Sequence, residues 1–172
     1  MAKSKSLDAA REQARDYLET YWTDDEGMVT FPVDPVAIAN RIDVEVVRAG
    51  LKDKVSGLLV REDGASETKI FLNKADSPRR QRFTCAHELG HLASRSDKPD
   101  EKLGFVDSRD ELARAGTDPD EIFANAFAAE LLMPGAAVRK WWADGMSVLR
   151  IARIFDVSTE AMDVRLSSLG LN

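Results

Sequence analysis

The stretch that most constrains this chain is His87-Glu88-Leu89-Gly90-His91. Residues four apart on an α-helix lie one above the other, so as a helix this segment directs two imidazoles to a single point on one face. That point can hold a zinc ion, which takes neutral imidazole readily. A carboxylate beside the first histidine is placed to accept a proton from a water at the ion. The pattern names a reaction as well as a ligand set: hydrolysis by a zinc-activated water. Five-residue patterns also arise by chance, but the chain has only two histidines and both lie in this one. Packing or solvation alone gives no reason to place the whole supply at i and i+4.

The flanks fit a helix with one metal face and one core face. Ser77-Pro78 supplies an N-cap and a proline at the first helical position, and Phe83, His87 and His91 follow at i, i+4 and i+8. Cys85, two positions before His87, is turned about 200° around the helix from it. With Leu89 and Leu92 it forms an apolar i, i+4, i+7 stripe, so it reads as core and not as a ligand. Arg79, Arg80 and Arg82 oppose the helix dipole in the first turn. They read as a solvated basic turn, with contact to an acidic substrate as the alternative.

Length and composition bound the rest. At 172 residues, 44% hydrophobic and 31% charged, the chain fits an α+β domain with a sizeable core and room for a small helical module. A formal charge of −6 argues against non-specific nucleic-acid binding, which needs excess Lys and Arg. No apolar h-region follows the lysines of Met1 to Ser6, and no apolar run nears the roughly 20 residues that span a bilayer. One cysteine permits no internal disulfide. The expectation is a soluble, cytoplasmic protein without a membrane partner.

Upstream of the motif, residues 7–21 read as an amphipathic helix, and Asp34-Pro35 opens a short second one. Residues 44–47 read as a strand, and residues 55–61 and 68–72 as an antiparallel hairpin around Glu62-Asp63-Gly64-Ala65-Ser66. An exposed edge strand there can hold an extended peptide by backbone hydrogen bonds. Downstream, residues 94–117 form a polar connection expected to drape over the surface or the cleft, with room for a short helix near 109–115. Asp107 and Asp110 within it have no partner at helical spacing.

The next helix supplies what the metal lacks. Thr117-Asp118-Pro119 caps it, Glu121 follows in its first turn, and Asn125 lies one turn on along the same face. Catalytic zinc sites commonly keep three protein ligands and leave the fourth position to water. Glu121 is therefore the expected third ligand, the alternative being service to the helix dipole. Asn125 is expected to accept a hydrogen bond from the far nitrogen of a ligating imidazole, fixing its tautomer. Glu130, about half a turn off in projection, faces away.

Two long stretches carry a family resemblance. The run Arg82-Phe83-Thr84-Cys85-Ala86-His87-Glu88-Leu89-Gly90-His91-Leu92 and the run from Asp118 to Pro134, with its Glu121 and Asn125, resemble the ImmA/IrrE metallo-endopeptidases. The similarity extends from about Val55 to the end of the chain. It implies a minimal zincin-like fold, with residues 1–134 as a metallopeptidase core and 135–172 as a helix-turn-helix-like part packed on it. It also implies one Zn2+ per chain on His87, His91 and Glu121, and Glu88 as general base. The implied substrate is a helix-turn-helix repressor or antitoxin, whose cleavage releases a stress, phage or mobile-element programme. No third histidine is present to stabilise an oxyanion, which leaves Tyr17, Tyr21, an arginine or backbone donors for that role.

The C-terminal part raises a rival reading. Residues 147–154 and 158–169, joined by Phe155-Asp156-Val157 and stopped by Gly170, form a helix pair of the kind that enters a DNA groove. Arg150, Arg153 and Arg165 are balanced by Asp156, Glu160 and Asp163, whereas a DNA-reading helix carries a basic excess. Direct DNA binding is not expected, and the pair reads as a packing or substrate-docking module. Trp141 and Trp142 before it read as core and interface anchors. The alternative function is a metal-binding regulator without turnover that binds a partner or DNA through these helices.

Overall fold

The structure, a computed structural model, describes residues 2–52, 54–61, 67–95, 103–108 and 118–171, with the backbone alone for 2–6 and 103–108. Its elements are α1 (Ala2–Tyr21), α2 (Pro35–Arg41), β1 (Val44–Ala49), β2 (Val55–Arg61), β3 (Thr68–Asn73), α3 (Pro78–Ala93) and β4 (Leu103–Ser108). Then come α4 (Pro119–Leu132), α5 (Gly135–Ala143), α6 (Val148–Phe155) and α7 (Thr159–Ser168). The fold is α+β, as expected. The local start signals act as read: Asp34, Ser77, Asp118, Ser147 and Ser158 each accept a backbone N–H of the first turn of the helix they precede. Gly170 takes a positive φ of 69° just past α7, where a side chain would be strained.

The four strands form a mixed sheet in the order β1-β3-β2-β4. β2 and β3 pair antiparallel, Gly57 opposite Leu72 and Arg61 opposite Thr68, so the expected hairpin is present; its turn, 62–66, lies outside the described residues. Neither hairpin strand is an edge, because β1 adds parallel to β3 and β4 adds antiparallel to β2. Among the described residues the edge strands are β1 and β4. β4 falls in the stretch expected to be an irregular polar connection, and its apolar start, Leu103, Phe105 and Val106, was the available signal. The possible helix at 109–115 and Asp110 lie outside the described residues, as does the side chain of Asp107.

α3 packs on the sheet, α4 packs on α3, and α1 packs on α4 and also touches α3. Ala10, Ala14 and Leu18 bury one stripe of α1, and Tyr17 meets Phe127 of α4 edge-on at 5.2 Å. Leu59, Ile70, Leu89, Phe127, Leu131, Ile151, Phe155 and Met162 belong to one buried cluster, so α6 and α7 share the core of the sheet and the motif helix. Trp141 closes on Phe31 and Phe155 at 5.4 and 5.0 Å, in keeping with its reading as a core anchor.

The arginines at the start of α3 overturn one expectation. Arg82 is drawn out of solvent and Arg79, though exposed, is paired: Arg79 Nε donates to Asp156 Oδ1 at 2.9 Å, and Arg82 Nη1 donates to Asp156 Oδ2 and to the Phe155 carbonyl, both at 3.2 Å. Arg82 Nη2 also donates to the Val33 carbonyl at 2.7 Å. Asp156 stands in the left-handed conformation at the end of α6. The exposed carbonyls and carboxylate of that helix end supply the anions that the start of α3 lacks. A second tie is buried: Arg165 of α7 donates to Glu130 of α4 and to the Met133 carbonyl. Glu130 also accepts from Gly135 N at 3.2 Å.

Candidate metal centre

His87 and His91 leave α3 toward α4, and their Nε2 atoms stand 3.0 Å apart. Glu121, in the first turn of α4, reaches back with Oε2 at 3.3 Å from His87 Nε2 and Oε1 at 3.1 Å from His91 Nε2. Two nitrogens and a carboxylate oxygen, all within 4.8 Å of one another, therefore face one point. Tetrahedral bonds of about 2.0–2.1 Å put neighbouring ligand atoms about 3.3 Å apart, so the donor spacing suits a small divalent ion. The imidazoles are almost fully buried and the carboxylate is 20% exposed, leaving an approach from the Glu121 side.

The charge suits a cation as well. Hydrogen bonding to His87, and next to His91, holds the Glu121 carboxyl well below the usual carboxylate range, so it is anionic at neutral pH. His87 Nδ1 has no hydrogen-bond partner among the described residues, so Asn125, half-buried one turn beyond Glu121, does not hold that ring directly. Cys85 is fully buried, and burial pushes its thiol up, which keeps it neutral and in the core. Tyr17 and Tyr21 stack edge-on at 5.4 Å on α1, and burial pushes the Tyr17 hydroxyl up to about 12.

Two close approaches escaped the reading by helical spacing. At Gly90, inside the motif, a Cβ would lie 2.8 Å from Ala124 Cα, 3.0 Å from its carbonyl oxygen and 3.2 Å from Phe127 Cβ. The backbones of α3 and α4 meet there, one turn from Glu121, and this contact sets how far Glu121 stands from the imidazoles. At Gly57 of β2, a Cβ would lie 2.4 Å from Thr84 Cγ2 and 2.9 Å from Glu88 Oε1. Glu88 is fully buried against that strand. The legible signal was glycine inside a helix and inside a strand, which costs roughly 0.5–1 kcal/mol against alanine and calls for a packing reason.

Among the described residues no single helix is long and apolar enough to cross a membrane. α4 and α5 pass that test only together, bent by 52°. No curated protein matches the chain at a significant level. A family profile described as the IrrE N-terminal-like domain, a peptidase domain, matches residues 39–167, which takes in α3, α4 and nearly all of α7. The match covers three quarters of the chain, and with it this protein belongs to the IrrE N-terminal-like family of peptidases.

Proposed function

We propose that the protein is a zinc-dependent endopeptidase that cleaves a regulatory protein, with Glu88 as general base. The observation that carries this reading is the convergence of His87, His91 and Glu121 on one point, with a buried carboxylate, Glu88, on the adjoining helix position. The imidazoles of His87 and His91 and the carboxylate of Glu121 would hold the ion. When bound, zinc supplies a Lewis acid that brings the pKa of a water toward neutrality. The Glu88 carboxylate would take a proton from the attacking water as its oxygen bonds to the carbonyl carbon, and would give it to the amide nitrogen as the C–N bond breaks, which leaves the residue unchanged. β4, an edge strand among the described residues, would offer backbone groups to an extended substrate.

The substrate in this proposal is a helix-turn-helix repressor or antitoxin, a reading supported by family membership. DNA binding by α6 and α7 is disfavoured because the turn between them is already engaged, through Asp156, by Arg79 and Arg82. The test is zinc content and cleavage of candidate helix-turn-helix proteins by the protein and two variants. Glu88→Gln is expected to keep about one zinc per chain and to lose cleavage by roughly 10²–10⁴-fold. Glu121→Ala is expected to lose zinc to a competing chelator. Absence of zinc from the metal-supplied protein would sink the reading.

A further inference from the structure

Gly57 sits in β2 with no positive φ to require a glycine, and a glycine weakens a strand interior. Space is the remaining reason. The two atoms that a Cβ would strike first are the Thr84 methyl, at 2.4 Å, and Glu88 Oε1, at 2.9 Å. Thr84 and Glu88 are one turn apart on α3 and both are fully buried, so they press on the same point of the strand. Thr84 Oγ1 makes no hydrogen bond among the described residues, which leaves the methyl as what this side chain contributes to the contact.

The strand is shaped for that contact. Opposite β4, Val55 pairs with Ser108 and Gly57 with Asp107, so Ser56 is an extra residue, a β-bulge. The bulge breaks the alternation of the strand, and Ser56 and Gly57 are consecutive buried residues. A bulge re-aims the backbone locally, and here it turns bare main chain toward the carboxylate of Glu88.

We propose that Gly57 is a positioning residue for this carboxylate: the main chain of β2 at the bulge is the wall that fixes Glu88 beside the His87/His91/Glu121 cluster. This inference rests on the reading of Glu88 as the base. A base must lie within hydrogen-bond reach of its proton, and sub-ångström errors in such placement are costly. An added methyl meets the carboxylate directly, whereas no imidazole atom is among the three nearest to it, so the two histidines are expected to keep their places.

The experiment uses the zinc-loaded full chain and three readouts: zinc content, thermal unfolding and affinity for acetohydroxamic acid, a chelating probe whose acidic proton needs a carboxylate acceptor. Gly57→Ala is expected to lower the melting temperature and to weaken the probe by about ten-fold or more, as Glu88→Gln does. In Gly57→Ala with Thr84→Ser the clashing methyl is gone and the hydroxyl stays. That double variant is expected to regain the melting temperature and to keep zinc, but not to regain the affinity. Wild-type affinity in either Gly57 variant overturns the proposal, as does loss of zinc from the folded double variant or its failure to regain stability. Wild-type affinity in zinc-loaded Glu88→Gln overturns instead the reading of Glu88 as base.

Discussion

Single residues carry charge states that the fold decides. Tyr17 ionises near 10 in an unfolded chain and near 12 in the folded one, because burial disfavours the phenolate and Tyr21 adds to the effect. A raised folded pKa means that the neutral form is favoured by folding. The stability this contributes is fully present below pH 10 and is lost as pH rises toward 12. Two units correspond to about 3 kcal/mol. Denaturant unfolding from pH 9 to 12 should show a fall of that size beyond other alkaline effects, and Tyr17→Phe should remove it. Cys85, Phe83 and the two histidines take the places helical spacing assigns them, since positions on one helix relate by a fixed angle. Asn125 does not bond His87 directly, because spacing along α4 carries no information on its distance from α3.

At the scale of elements, the α3–α4 crossing decides whether two imidazoles become a three-donor site. Gly90 and Ala124 let the helix backbones touch, and Glu121, three residues before Ala124, is carried to 3.3 and 3.1 Å from the imidazoles. A Gly90→Ala substitution must push α4 outward by several tenths of an ångström, since backbone atoms at 2.8 and 3.0 Å cannot turn aside. We expect a destabilisation of about 1–3 kcal/mol, typical of overpacking. Weaker zinc retention should accompany it, out of proportion to the fold that remains. Equal zinc affinity in a folded Gly90→Ala variant would show that the crossing does not set the site. The helices themselves were legible from their Ser-Pro and Asp-Pro starts, which act within one turn. β4 was not, because an edge strand is defined by the partner it pairs with more than by its own pattern.

Across the whole molecule, buried charge ties the C-terminal helices to the domain. Glu130 and Arg165 are 4% and 3% exposed and bond to each other, while Arg15 of α1 stands 3.6 Å from Glu130. Burial lowers the Arg165 pKa and Glu130 counters it, so each charge depends on the other. Removing one partner strands the second. Glu130→Ala is expected to cost about 3–5 kcal/mol in denaturant unfolding, whereas Glu130→Leu with Arg165→Met should cost far less. If the double variant is as unstable as the single one, the pair is more than a structural tie.

From its sequence alone the chain determined the motif helix, its caps, the pairing of β2 with β3, the α+β class and the convergence of His87, His91 and Glu121, because each follows from local spacing or from chemistry that few residue types can perform. Tertiary structure decided the rest: that Arg79 and Arg82 meet the end of α6, that β1 and β4 and not the hairpin strands are the sheet edges among the described residues, and that Gly57 and Gly90 stand where Glu88 and α4 press closest. These depend on distances between segments far apart in the chain, and those distances are set only when the core closes.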